Sequence, residues 1–325
     1  MNSVYKEYRT SKHFFSLKRA RTNAGSLTHN TGVFDISLKI KPGDAVSILG
    51  PNGAGKSTIF KMLCGILAPS SGEVIVCGLS PIKKRKKLAK KIGVVMGHKT
   101  TLFWDIGTRH SLAFCRDLYN IPQKDFKHRL ERIIDELKIA SFLDIAPKRL
   151  SLGQRRLVEI ACACIHEPKI LMLDEPTLGL DFAVRKRIHK FLSDQRKSTG
   201  TTILLVSHNI QDVESITDEV IVIDRGKIVF EGSLESLKKL ETKRKIRFRC
   251  TNYHELKYLD FTLNNGSLIR LAKDTKNDGD YFQGYVDVAY IDELLTLAWG
   301  THDVRNLEVE AYPIENILEG IYSVS

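Results

Sequence analysis

Nine consecutive residues constrain this chain more than any others: Gly50-Pro51-Asn52-Gly53-Ala54-Gly55-Lys56-Ser57-Thr58. They follow a short, mostly apolar run, Ala45–Leu49, and open a segment of helical composition that reaches towards Gly65. A glycine-rich turn between a buried strand and a helix is the setting in which backbone curls around phosphate. The glycines let the chain bend until its N–H groups point inward, and the helix N-terminus adds partial positive charge. Lys56 is placed to reach the β- and γ-phosphates of a nucleotide, and Ser57 offers a hydroxyl to Mg²⁺. Gly50, Asn52, Gly53, Gly55 and Thr58 complete the cradle. The expected fold around such a loop is α/β with a parallel sheet.

A second apolar run, Ile170–Leu173, ends in Asp174-Glu175. The carboxyl edge of a parallel sheet is where ligands bind. There Asp174 is suited to hold Mg²⁺ through water, and Glu175 to polarise an attacking water as general base. Alone, two carboxylates closing a strand read equally as caps; beside a phosphate loop they read as chemistry. Thr201–Ser207 has the composition of another central strand. Val220–Ile223 and Lys227–Phe230 flank Asp224-Arg225-Gly226, a hairpin signal. Val33–Ile40 with the turn Lys41–Asp44 reads as a hairpin ahead of Ala45–Leu49, and Glu73–Cys77 as a strand after the turn Pro69–Gly72. Residues 105–145 read as helical, on the spacing of Leu130, Ile133, Ile134 and Leu137. From about Ser236 the chain changes character, and the alternation in Lys245–Arg249, Ser267–Ala272 and Tyr281–Val288 predicts a small α+β appendage.

No window of the 325 residues approaches the roughly 18 apolar residues that span a bilayer, so a membrane role would require another chain. The N-terminus lacks the apolar core of a secretory signal; its basic, Ser/Thr-containing composition loosely suggests a transit peptide, against which Glu7 counts. The net charge of +12 raises nucleic acid as a partner. Much of the excess lies in residues 1–30 and in Lys83–Lys91, and the chain is net acidic from Glu241 onward, so no nucleic acid is expected. Lys83–Lys91 reads as a solvated basic helix, or as a segment drawn to an anionic membrane surface. Cys64, Cys77, Cys115, Cys162, Cys164 and Cys250 are scattered, as buried thiols of a reducing compartment would be.

Leu150-Ser151-Leu152-Gly153-Gln154 precedes the helical run Arg155–Ile165. Ser151 alone reads as an N-cap. Together with the phosphate loop and Asp174-Glu175, this element resembles the LSGGQ signature of the ABC-transporter ATPases, with Leu152 in place of a glycine. The resemblance implies that Ser151, Gly153 and Gln154 bind the γ-phosphate of ATP held by a second copy of the chain. Two ATPs would then be sandwiched in a head-to-tail dimer. Leu178-Gly179-Leu180-Asp181 resembles the family's loop that communicates across that dimer, with Asp181 its aspartate. His208 resembles the switch histidine that contacts the γ-phosphate. His98 stands where the family has a glutamine that senses Mg²⁺ and the attacking water. Neutral imidazole can accept a hydrogen bond or ligate a metal. His98→Gln is therefore expected to keep or raise ATPase activity; a collapse of hydrolysis would assign the histidine a role of its own. Lys6-Glu7-Tyr8 resembles the family's adenine-stacking element, with Tyr8 its aromatic and residues 9–30 an insertion. Read as residues alone, Tyr8 is equally a surface aromatic.

The resemblance covers about residues 4–235 and implies a P-loop NTPase core in residues 1–235. A helical subdomain, about 97–165, would be inserted in it and dock on a permease. Residues 236–325 would form a small α+β accessory domain. Val304–Tyr322 resembles the C-terminal segment of bacterial ATPases paired with export-type permeases, and Gly93–Asp105 is similar to those of multidrug and antibiotic exporters. The implied working parts are ATP, Mg²⁺, a second copy of the chain and separate integral membrane permease subunits. The implied location is the cytoplasmic face of the membrane, and the implied direction is export. A soluble ABC ATPase of translation or DNA repair is the competing expectation. Those carry paired cores or long coiled coils, which this sequence lacks. A non-catalytic module is opposed by intact Lys56, Asp174, Glu175 and His208.

Overall fold

The computed structural model describes residues 1–8, 30–97, 100–250, 256–274 and 281–324. They form two compact units, Met1–Leu234 and Glu235–Val324.

The first unit runs β1 (Asn2–Tyr8), β2 (Asn30–Ile36), β3 (Ala45–Leu49), α1 (Lys56–Leu63), β4 (Ser71–Glu73), α2 (Arg85–Ala89), β5 (Ile92–Met96), α3 (Thr108–Tyr119), α4 (Gln123–Leu137), α5 (Leu152–Cys164), β6 (Ile170–Asp174), α6 (Phe182–Thr199), β7 (Thr202–Val206), α7 (Ile210–Ile216), β8 (Glu219–Asp224) and β9 (Lys227–Ser233). Its six-stranded sheet has the order β5-β6-β7-β3-β8-β9. The first five strands of that order are parallel, and β9 returns antiparallel along β8. Short β-branched and leucine-rich runs suit such strands because both faces are buried. Leu171, Leu173, Ile203 and Leu205 enter one core with Leu157, Ile160 and Phe191 of α5 and α6. Their neighbours Met172, Leu204 and Val206 enter the other, with Ile59, Phe60 and Met62 of α1. Asp174 pairs with both Met96 and Val206, so β5, β6 and β7 end level at one edge.

A separate three-stranded sheet has the order β2-β1-β4. Here the structure differs from the hairpin expected of Val33–Ile40 with the turn Lys41–Asp44. β2 pairs with β1, while β3 lies between β7 and β8. Every residue of β3 is buried, and parallel partners on both edges take its hydrogen bonds. The strand expected at Glu73–Cys77 is also shorter, Ser71–Glu73. Cys77 and Gly78 take φ of 52° and 72°, which turns the chain back on itself there. The expected helical stretch 105–145 is broken after Tyr119: Asn120, at φ 53°, caps α3 in the left-handed region and Pro122 opens α4. No helix among the described residues is long and apolar enough to cross a membrane.

α8 (Leu234–Lys238) leads into the second unit, which contains β10 (Lys243–Cys250), β11 (Tyr258–Thr262), β12 (Leu268–Lys273), β13 (Tyr281–Asp287), α9 (Ile291–Thr301), β14 (Val304–Ala311) and α10 (Ile314–Val324). These strands form an antiparallel sheet in the order β11-β12-β13-β10-β14. Alternate residues Ile246, Phe248, Leu259, Phe261 and Phe282 build its core with Leu294 and Ala298 of α9. That is the period-2 pattern of a half-buried sheet.

Candidate functional site

A cleft of about 610 Å³ opens at the carboxyl edge of the six-stranded sheet. Asn52, Gly53, Gly55, Lys56, Ser57 and Thr58 line it from the β3–α1 turn, Asp174 and Glu175 from the end of β6, His208 from beyond β7, and Gly97 from beyond β5. Residues scattered over more than 150 positions thus converge because four strands end level.

The loop needs its glycines at two positions in particular. Gly50 has φ 153°, and a Cβ there would lie 2.1 Å from the carbonyl oxygen of Ile223. Gly55 has φ 109°, and its Cβ would lie 2.4 Å from the Gly32 oxygen and 2.9 Å from Val33 Cγ1. Side chains fit neither place, so the backbone can pass close to β8 and β2 only as glycine.

Lys56, the first residue of α1, is 8% exposed. Its ammonium donates to the carbonyls of Gly50 at 2.6 Å and Pro51 at 3.0 Å. Burial lowers its pKa, and the nearby carboxylates of Glu175 and Asp174 oppose that shift. A largely buried cation at a helix N-terminus favours an anion, while the two carboxylates beside it favour a cation in the same cleft. Ser57 and Asp174 supply a hydroxyl and a carboxylate to the same cleft. This is an oxygen-only donor set that fits a hard cation retaining much of its water. The residues present therefore suit Mg²⁺, which Ser57 and Asp174 would hold.

Glu175 sits in the left-handed region at φ 49°, a strained conformation for a side-chain-bearing residue. Its amide donates to the Val206 carbonyl at 2.8 Å, which fixes the turn. His208 Nδ1 lies 2.7 Å from Glu175 Oε1. Since a carboxylate only accepts, the imidazole holds its proton on Nδ1 towards Glu175. A carboxylate and a histidine are thereby locked together beside the phosphate loop.

Ser151, Gly153, Gln154 and Asp181 are not among the residues lining this cleft. Ser151 is the N-cap of α5, and its hydroxyl accepts from the Gln154 amide at 3.2 Å. In return, Gln154 Oε1 accepts from the Ser151 amide at 2.9 Å, a reciprocal capping box. Gly153 is buried against Val184. Asp181 caps α6, accepting from the Val184 amide at 2.9 Å. Tyr8 ends β1, but its side chain, like His98 as a whole, lies outside the described residues.

Arg156 was not singled out from the sequence. Its buried guanidinium donates to Glu159 at 2.8 Å, to the Met96 carbonyl at 3.0 Å and to the Gly97 carbonyl at 2.7 Å. It ties α5 to the end of β5, beside the cleft. The visible signal was an Arg/Glu pair at i, i+3 inside an otherwise apolar helical run.

Residues 33–178 match the family described as ABC transporter. The chain is 34% identical over 216 residues to the ABC transporter ATP-binding protein NatA of Bacillus subtilis, covering 66% of this chain and 87% of that protein. This chain belongs to the ABC transporter ATP-binding proteins. It is an ATPase subunit of that family and binds ATP, with the α/β architecture of a P-loop NTPase. Another relative is the methionine import ATP-binding protein MetN of Geobacillus kaustophilus, 34% identical over 208 residues, covering 63% of this chain and 60% of that one. Among solved structures, a dimeric bacterial ABC transporter cassette, MJ0796, superposes with a TM-score of 0.59 at 25% identity, covering 72% of this ABC ATPase and 97% of the cassette.

Proposed function

We propose that this ABC ATPase hydrolyses Mg-ATP in a head-to-tail dimer and drives export through separate integral membrane permease subunits. It would act from the cytoplasmic face of the membrane as a peripheral subunit. The observation that carries this reading is the meeting of Lys56, Ser57, Asp174, Glu175 and His208 in one cleft. Lys56 and the loop amides bind the β- and γ-phosphates. Ser57 and Asp174 would hold Mg²⁺, which when bound would neutralise developing phosphate charge. Glu175 takes the proton of the attacking water, and His208 keeps Glu175 aligned and meets the γ-phosphate.

Ser151, Gly153 and Gln154 complete the site of the opposite copy. That they stand away from their own chain's cleft, at an exposed helix N-terminus, supports a head-to-tail arrangement. Asp181 lies in the loop that would run along the dimer seam, Tyr8 would stack on adenine, and His98 would report on the phosphate and Mg²⁺. Between residues 97 and 165, Phe103, Trp104, Ile106, Phe114 and Leu118 expose large apolar side chains. Phe103 and Phe114 pack edge to face at 5.2 Å, so part of this surface is preformed. Exposed aromatic clusters of this kind mark protein contacts, and here they fit a permease helix. The second unit is read as a regulatory or dimer-forming accessory domain. Export rests on the resemblance of Gly93–Asp105 and Val304–Tyr322, because relatives of the core serve import as well.

Tagging the C-terminus, extracting membranes in mild detergent and identifying what co-purifies tests the reading. A stoichiometric multi-span membrane protein is expected. Recovery only with ribosomes or DNA would transfer the chain to the non-transport ABC ATPases.

A further inference from the structure

Behind the cleft lies a further carboxylate, which the mechanism above leaves unused. Asp212, in the first turn of α7, is 1% exposed. Its Oδ1 lies 2.7 Å from Nε2 of His189 on α6. Its Oδ2 accepts from the hydroxyl of Thr177, in the loop after β6, and from the hydroxyl of Ser207, beyond β7, at 3.2 Å. A carboxylate has only acceptors, so all three neighbours donate and His189 carries hydrogen on Nε2. Burying a carboxylate is costly, and three donors are what make it tolerable.

Ser207 decides what this cluster does. Its oxygen accepts from the Asn209 amide at 3.0 Å, which shapes the turn that carries His208. Its single proton has two carboxylates to choose from: Asp212 Oδ2 at 3.2 Å and Glu175 Oε2 at 3.5 Å. Both distances exceed the roughly 2.5–3.0 Å of a full hydroxyl bond, so the proton is shared loosely between them. Glu175 is therefore held at Oε1 by His208 and approached at Oε2 by a hydroxyl whose position Asp212 sets.

We infer that Asp212 is a positioning residue for ATP hydrolysis, acting on Glu175 through Ser207, with His189 and Thr177 fixing its own place. The cluster joins the three segments whose relative placement the reaction pair requires: the loop after β6, helix α6 and the turn after β7. A purely structural role would be met by donors to Asp212 alone, whereas the Ser207 hydroxyl also reaches Glu175 Oε2. The inference rests on the reading of Glu175 and His208 as the reaction pair.

The test is steady-state ATP hydrolysis by the full-length chain with Asp212→Asn, Ser207→Ala, Ser207→Thr and Glu175→Gln, each with its melting temperature. Asp212→Asn and Ser207→Ala should lower kcat by about ten- to a hundredfold, the usual effect of removing an orienting partner, while KM for ATP stays within about twofold. Ser207→Thr, which keeps the hydroxyl, should recover most of the rate. Unchanged kcat in Ser207→Ala, a loss confined to KM, or no recovery in Ser207→Thr would each overturn the inference. Should Asp212→Asn fail to fold, the two Ser207 variants still decide it. An inactive Glu175→Gln beside a fully active Ser207→Ala removes the positioning role alone. An active Glu175→Gln removes the reaction pair itself.

Discussion

Glu175→Gln is expected to bind ATP as tightly as the unaltered chain and to hydrolyse it about a hundred- to ten-thousandfold more slowly, the range that a positioned base contributes. The substitution is close to isosteric. Glutamine keeps an oxygen that can accept from His208, which now stands 2.7 Å from the carboxylate. It adds no backbone strain, because the φ of 49° is as unfavourable for one residue as for the other. What disappears is the capacity to take a proton from water. Lys56 and the loop that bind the phosphates are untouched, so binding and chemistry separate. If two ATPs glue two copies together and hydrolysis releases them, the variant should also accumulate as a dimer in ATP. Single-turnover hydrolysis and light scattering of the eluted species check both halves. Near-normal turnover would remove Glu175 as base; slow turnover without a dimer would leave the chemistry intact and remove the head-to-tail arrangement.

The two parts of the site differ in how far the sequence exposes them. The phosphate loop is contiguous, and its glycines are demanded by backbone geometry within nine residues, Gly50–Thr58, so local sequence carries the whole signal. Asp174 and Glu175 are legible because an apolar run ends in them at a predictable sheet edge. Ser151 and Asp181 are different. By their residues alone they are helix N-caps, and N-caps are what the geometry displays. Only family resemblance reads an anion site or a dimer loop in them.

Long-range pairing is what sequence pattern does not carry. Val33–Ile36 has the alternation of a strand, but nothing in it says that its partner is β1 and not β3. The same limit hid the buried polar groups. Arg156 reaches back to Met96 and Gly97 across about 60 residues, and Asp212 gathers partners from Thr177 to Ser207. Each was unremarkable in its own segment. Their meaning comes from burial, which makes an unpaired polar group costly and so forces them together.

Lys56→Met should weaken ATP binding by about ten- to a hundredfold or more and stop turnover, yet leave the nucleotide-free chain as stable as before or more so. The two effects have one cause. In the folded chain the ammonium is nearly buried, and burial outweighs the attraction of Glu175 and Asp174, so its pKa is lowered. A lowered pKa means that, at neutral pH, carrying the charge costs the folded state stability relative to the unfolded chain, where the group is solvated. Methionine keeps the apolar stem and removes that cost, although the Gly50 and Pro51 carbonyls lose their donor. Nucleotide supplies the compensation for which the charge is kept. A hydrogen bond to a charged group contributes about 1.5–3 kcal/mol, so loss of the contact should weaken ATP binding by about ten- to a hundredfold or more. Thermal unfolding with and without Mg-ATP measures both at once, because a ligand that binds only the folded state raises the melting temperature by an amount that grows with the logarithm of its concentration relative to its Kd. The unaltered chain should gain stability on adding Mg-ATP. Lys56→Met should start level or higher and gain much less at the same Mg-ATP concentration. An equal ATP-induced rise in the variant would show that the loop binds phosphate without its lysine. A large fall in the nucleotide-free melting temperature would show that Lys56 holds the loop together and that its charge is structural.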